Sequence, residues 1–123
     1  MARFDDLKAR TFEAGQALAQ PFIFVVQAAD GQVDPVGTAG VRTDGVLLDT
    51  AGAAGRPVAV AYDGRTKVLA AGTIARGAAV SSNNAGRAIA ATTGHIIQGY
   101  AEEAAVTGQI VTVRLVRAET AQP

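Results

Sequence analysis

The chain has 123 residues, with 11 basic and 11 acidic side chains, one histidine and no cysteine, for a formal net charge of zero. Interspersed, balanced charge argues against nucleic-acid binding, which needs a concentrated basic surface. The lack of cysteine excludes disulfides and thiolate metal sites, and no run of 18 apolar residues is present to form a membrane-spanning helix. Length predicts one domain. Apolar residues make up 49% of the chain but aromatics only 5%, so the core must be rich in Ala and poor in large rings. Such a core buries little area per residue, and additional stability is expected from oligomerisation or docking.

Residues 1–20 differ from the rest. Arg3, Asp5, Asp6, Lys8, Arg10 and Glu13 alternate with Phe4, Leu7 and Phe12. The spacing suits either a short helix or an extended arm, bounded by Gly15 and Pro21. Fully extended, about 20 residues reach roughly 65 Å, enough to cross onto a neighbouring subunit. The acidic residues stand where a secretory signal would turn apolar, so no such signal is expected.

From Pro21 the pattern is β. Phe22, Phe24 and Val26 can share one face of a first strand, with Ile23 and Val25 on the other, as in a strand buried on both sides. Asp30-Gly31 is a hairpin signal. GVLLD at 45–49 predicts a short apolar strand, and PVAVAY at 57–62 an alternating one. Asp63-Gly64 reads as a second hairpin turn leading to TKVLAA at 66–71. Residues 72–77, GTIARG, read as a linker. GAAVSS, a turn at Asn83–Gly86, RAIAAT and HIIQGYAEE then follow. The last strand, QIVTVRLV at 109–116, places Val111, Val113 and Leu115 inward and Thr112 and Arg114 outward.

These segments repeat. Gly31 matches Gly86, Gly45 matches Gly99, Gly55 matches Gly108, and Val58/Val60 match Val111/Val113, at offsets drifting from 55 to 53 residues. The expectation is an all-β fold, a small internally duplicated β-sandwich or barrel with an N-terminal arm. Its organisation is an arm at 1–20, a duplicated β domain at 21–117 (copies about 24–62 and 79–115) and a polar tail at 118–123.

No group of residues points to catalysis. His95 has no cysteine to share a metal with, and as a base it would need a nucleophile in reach. Glu102 and Glu103 are adjacent, so on a strand they point to opposite faces. Asp30, Asp44, Asp49 and Asp63 stand where turn formers stand. Ser81-Ser82 lacks the frame of a nucleophile elbow, and the glycines are spaced as turn punctuation rather than as phosphate cradles. The chain is therefore expected to be no enzyme and to need no cofactor or metal. The binding candidates are Arg3, Phe4, Leu7, Arg10 and Phe12, whose apolar members have no evident place in the repeat; they either pack back on the β body or dock on another subunit.

The segments TFEAGQALAQPFIFVV, ADG, DGVLLD, AAGTIARGAAVSSNNAGRAIAATTGHIIQGYAEEAA and GQIVTVRL together give the chain a cadence that resembles the small bacteriophage capsid decoration, or cement, proteins, over Thr11 to Val116. The resemblance implies a non-enzymatic virion protein on the outer capsid surface. Such a protein is made in the bacterial host cytoplasm and bridges major capsid protein subunits, often as a homotrimer near local three-fold axes. No catalytic residue, nucleic acid or membrane partner comes with it. Residues 1–20 would add a strand to a capsid-protein edge. The competing expectation is a β-sandwich attachment or glycan-binding module on a virion surface.

Overall fold

The computed structural model describes residues 5–116 and, over them, is all β. Nine strands form in chain order: β1 (Asp5–Ala14), β2 (Phe24–Ala29), β3 (Gln32–Pro35), β4 (Gly45–Leu47), β5 (Pro57–Leu69), β6 (Ala79–Ser82), β7 (Ala88–Ala90), β8 (Gly99–Ala101) and β9 (Ile110–Leu115). They pair as one sheet in the order β1-β3-β2-β4-β5-β9-β8-β6-β7, with a further β1–β5 pairing. Of the two forms open to residues 5–14, the extended one is found.

The strand pairing repeats register for register. Val25 faces Pro35 and Gly45 in the first half, as Val80 faces Ala90 and Gly99 in the second. Leu47 faces Val60 as Ala101 faces Val113. The correspondence reaches further toward the N-terminus than residue 24. Phe12 pairs with Val58 as Val68 pairs with Val111, and the bridge Leu18–Ala51 recurs as Ile74–Ala105. The parallel contact Ala14–Val33 recurs as Ala70–Ala88. Strand β1 thus opens the first unit and the second half of β5 opens the other. In the first unit the pairings return to the strand that opened it, β1-β3-β2-β4-β5-β1; in the second, the run β5-β9-β8-β6-β7 is closed by a single bridge from Ala70, the residue after β5, to Ala88.

Asp63-Gly64 therefore does not reverse the chain. Strand β5 runs through it for 13 residues, pairing with β4 before it and with β9 from Gly64 onward, while β1 runs alongside from Pro57 to Arg65. Gly64, at φ 90°, supplies the bend at which the strand changes partners. The Asp63 carboxylate accepts the Gly64 N–H at 2.8 Å, doing locally what it would do in a turn. The segment 72–77 is also more than a linker, because it carries Ile74, fully buried and bonded in both directions to Ala105.

Each unit closes on its own core, and the two cores match residue for residue. One holds Phe12, Ala14, Leu18, Val25, Val33, Leu47, Ala51, Val58 and Val60. The other holds Val68, Ala70, Ile74, Val80, Ala88, Ala101, Ala105, Val111 and Val113 in the equivalent places. Phe24, Val36, Val46, Ala61 and Leu115 join this second cluster and fill the junction between the units. The segment 23–26 at the head of β2 is packed on both faces, with Ile23 and Val25 in one cluster and Phe24 and Val26 against the other. Phe22 stands apart from that alternation, since its φ of 62° precludes strand geometry.

Two polar residues depart from the expected pattern. Thr112, which alternates with Val111 and Val113 along β9, is buried rather than solvent-facing, and the Glu103 carboxylate accepts its N–H. Thr66, on β5 opposite Val113, is fully buried with a hydroxyl that makes no hydrogen bond. An unpaired buried hydroxyl retains its desolvation cost. Thr66→Val is accordingly expected to raise stability by about 1 kcal/mol, read as a melting temperature several degrees higher.

Candidate functional site

Arg3 and Phe4 lie outside the described residues, and Leu7 lies on β1. Arg10 and Phe12 are neighbours on one face of β1, with the Arg10 guanidinium 5.3 Å from the Phe12 ring centroid, within cation–π reach. Their exposures differ. Arg10 is exposed, whereas Phe12 is 8% exposed and belongs to the first unit's core. The ring is taken up by its own β body and is not presented at the surface.

His95 is bonded on both ring nitrogens. Nδ1 lies 2.8 Å from Ser81 Oγ and Nε2 lies 3.1 Å from Thr92 Oγ1. Ser81 is fully buried, so its hydroxyl has no open path to a substrate. The imidazole ring is packed against Gly40, where a Cβ would lie 2.3 Å from Cδ2. Gly40 also donates to Ser82 and accepts from Ile96. The histidine thus anchors the first unit's 36–43 loop to the second unit.

The carboxylates serve the backbone. Asp44 accepts the Gln27 N–H at 2.6 Å and Asp49 accepts the Ala59 N–H at 3.0 Å. Glu103, the equivalent of Asp49, accepts from Thr112, the equivalent of Ala59. Glu102 instead meets Arg65 at 2.6 Å, so the adjacent glutamates diverge. Among the described residues, no group of three or more His, Asp or Glu gathers as a metal site.

The feature that sequence reading missed is a cleft of about 390 Å³ between the two units. Its floor is Phe24, Thr43, Gly45, Gln98 and Leu115, all buried, and its mouth carries exposed Arg42, Asp44, Tyr62 and Asp63. Thr43 donates to Gln98 Oε1 at 2.7 Å, while Gln98 Nε2 donates to the carbonyls of Val41 and Ile96. This satisfied buried network fixes the floor across the junction. By the register above, Asp44 is the counterpart of Gln98, Tyr62 of Leu115 and Asp63 of Val116, so equivalent positions of the two units look at one another across the cleft. Matched core positions stay apolar, whereas at the cleft Asp44/Gln98 exchanges a charge for an amide, Tyr62/Leu115 an aromatic for an aliphatic side chain, and Asp63/Val116 a charge for an apolar one. That divergence is the one signal by which an alignment of the halves could have marked the site.

No protein-family model matches the chain, and no curated protein matches it in sequence. Among solved structures it is similar to the N base of the head fiber protein gp8.5 in bacteriophage phi29, with a TM-score of 0.70 and 20% sequence identity. The likeness covers 94% of this chain and 99% of the other, and it establishes a shared fold.

Proposed function

We propose that this chain is a structural protein of a bacteriophage virion that seats on the outer capsid surface and reinforces contacts between major capsid protein subunits. The observation that carries the reading is the fold likeness to a head-fiber base, which spans nearly the whole of both chains. The cadence shared with capsid decoration proteins points the same way. The hydrogen bonding of His95 and the divergence of Glu102 and Glu103 support a role without catalysis. The physics is that of linkage: a rigid body that binds only the assembled, expanded lattice stabilises that lattice by mass action. Binding as three copies around a local three-fold axis would use symmetry the capsid already has.

The test is co-sedimentation of the purified chain with expanded and unexpanded capsids of its phage. Saturable binding to expanded particles, with raised resistance to heat or chelator, is expected; absence of binding to either form overturns the reading. Arg10 offers a contact probe that leaves the core alone. Arg10→Glu is expected to weaken capsid binding about tenfold while lowering the melting temperature by only a few degrees, through loss of the contact with the Phe12 ring, whereas Phe12→Ala would confound binding with loss of core packing.

A further inference from the structure

We infer that the cleft between the two units is a carbohydrate site that takes one pyranose residue, giving the chain a glycan-binding activity separate from its seating on a capsid. The two units place matched apolar residues in their cores, yet at the cleft one contributes Asp44, Tyr62 and Asp63 where the other has Gln98, Leu115 and Val116. Core packing requires no such change. Its effect is a cleft of about 390 Å³, within the size range of small-molecule sites, with a floor in which Phe24 and Leu115 stand beside Thr43 and Gln98, and a polar mouth.

The mouth chemistry selects the ligand class. A pyranose has a C–H face that packs on an aromatic ring and a rim of hydroxyls, each both donor and acceptor. Tyr62 is 46% exposed at the mouth, an aromatic surface not consumed by the core. Arg42 is exposed and brings guanidinium donors that make no hydrogen bond or ion pair among the described residues. Asp44 spends Oδ2 on Gln27 and keeps Oδ1 as an acceptor. The charges at the mouth offset one another: Arg42 stands with Asp44 and Asp63, and Asp63 faces Lys8 at 3.9 Å. A balanced mouth with separate donors and acceptors suits a neutral polyhydroxylated ligand better than an anion or a basic side chain. The Thr43–Gln98 network holds the floor in place before any ligand arrives, which limits the entropy lost on binding.

The probes are methyl pyranosides (gluco, galacto, manno and N-acetylglucosamine) in saturation-transfer NMR, alongside a glycan array carrying polysaccharides of bacterial envelopes. Signals from at least one pyranoside at millimolar concentration are expected. Tyr62→Ala and Arg42→Ala, both at exposed positions, should each weaken binding about tenfold while leaving the melting temperature and capsid co-sedimentation unchanged. Array binding without a free-sugar signal identifies a polymer-borne residue and supports the inference; a free-sugar signal alone supports it equally. No binding of wild type in either arm overturns it. So does loss of capsid binding in Tyr62→Ala with no sugar bound, which would make the cleft a protein contact. A protein that binds sugar but not capsids would leave this inference standing and remove the capsid reading instead.

Discussion

Gly45→Ala is expected to cost about 4 kcal/mol, enough to lower the melting temperature by roughly 15 °C. A Cβ at Gly45 would lie 2.2 Å from the Ala61 carbonyl oxygen and 2.7 Å from Val60 Cγ1, and its φ of 151° is one that side-chain-bearing residues rarely adopt. Neither neighbour can move cheaply, because Ala61 is main chain in β5 and Val60 is fully buried. Gly99 repeats the close approach, with 2.4 Å to the Arg114 carbonyl oxygen and 2.7 Å to Val113 Cγ1. It lacks the unusual φ, so Gly99→Ala is expected to cost less, about 2–3 kcal/mol. Gly31 has φ 75° but open space around it, and Gly31→Ala isolates the conformational cost at about 1 kcal/mol. Urea unfolding of the three variants checks the order Gly45, Gly99, Gly31. A Gly31 variant as unstable as the Gly45 variant would show that close strand approach is not the reason for these glycines.

Removal of residues 1–14 is expected to abolish folding of the chain. Strand β1 pairs along β5 from Glu13–Pro57 to Asp5–Arg65 and with β3 at Glu13–Gln32 and Ala14–Val33. Its loss opens the first unit on both sides. Truncating a buried Phe alone costs about 3–5 kcal/mol, against a total stability of about 5–15 kcal/mol for a domain. Here Phe12 and Ala14 go together with the hydrogen bonds that cover the first half of β5. Loss of dispersed amide signals in NMR is the expected readout, with recovery when a peptide of residues 1–14 is added in trans. A deletion that stays folded would mean β1 is a detachable strand, free to be lent to a capsid-protein edge as the sequence first suggested.

The duplication was legible because its signals are local and repeated: Gly31/Gly86, Gly45/Gly99 and Gly55/Gly108 mark turns and close approaches, and Val58/Val60 and Val111/Val113 mark a buried face. What escaped notice is the strand that opens each unit. Phe12/Val68, Ala14/Ala70 and Leu18/Ile74 are spaced by 56, in series with the other offsets, but Lys8, Arg10 and Glu13 mask the first set as a charged arm. Asp63-Gly64 masks the second, since that dipeptide states only that the backbone must bend, and a bend within a strand looks the same in sequence as a reversal. Thr112 was read as solvent-facing from alternation alone, which gives the face a side chain takes but not what covers that face. The cleft was illegible for a different reason. Its residues come from five separate segments between Phe24 and Val116 and share no motif; only the pairing of β5 with both β4 and β9 brings them to one place.

Strand β5 belongs to both units, so no hinge separates them. A pull applied to one unit reaches the other along a covalent, extended main chain, clamped on one flank by β1 and β4 and on the next by β9. Two modules strung on a linker would yield at the linker first. Here the connection is itself a structural member of each half, and the halves part only if β5 is stripped of its partner strands.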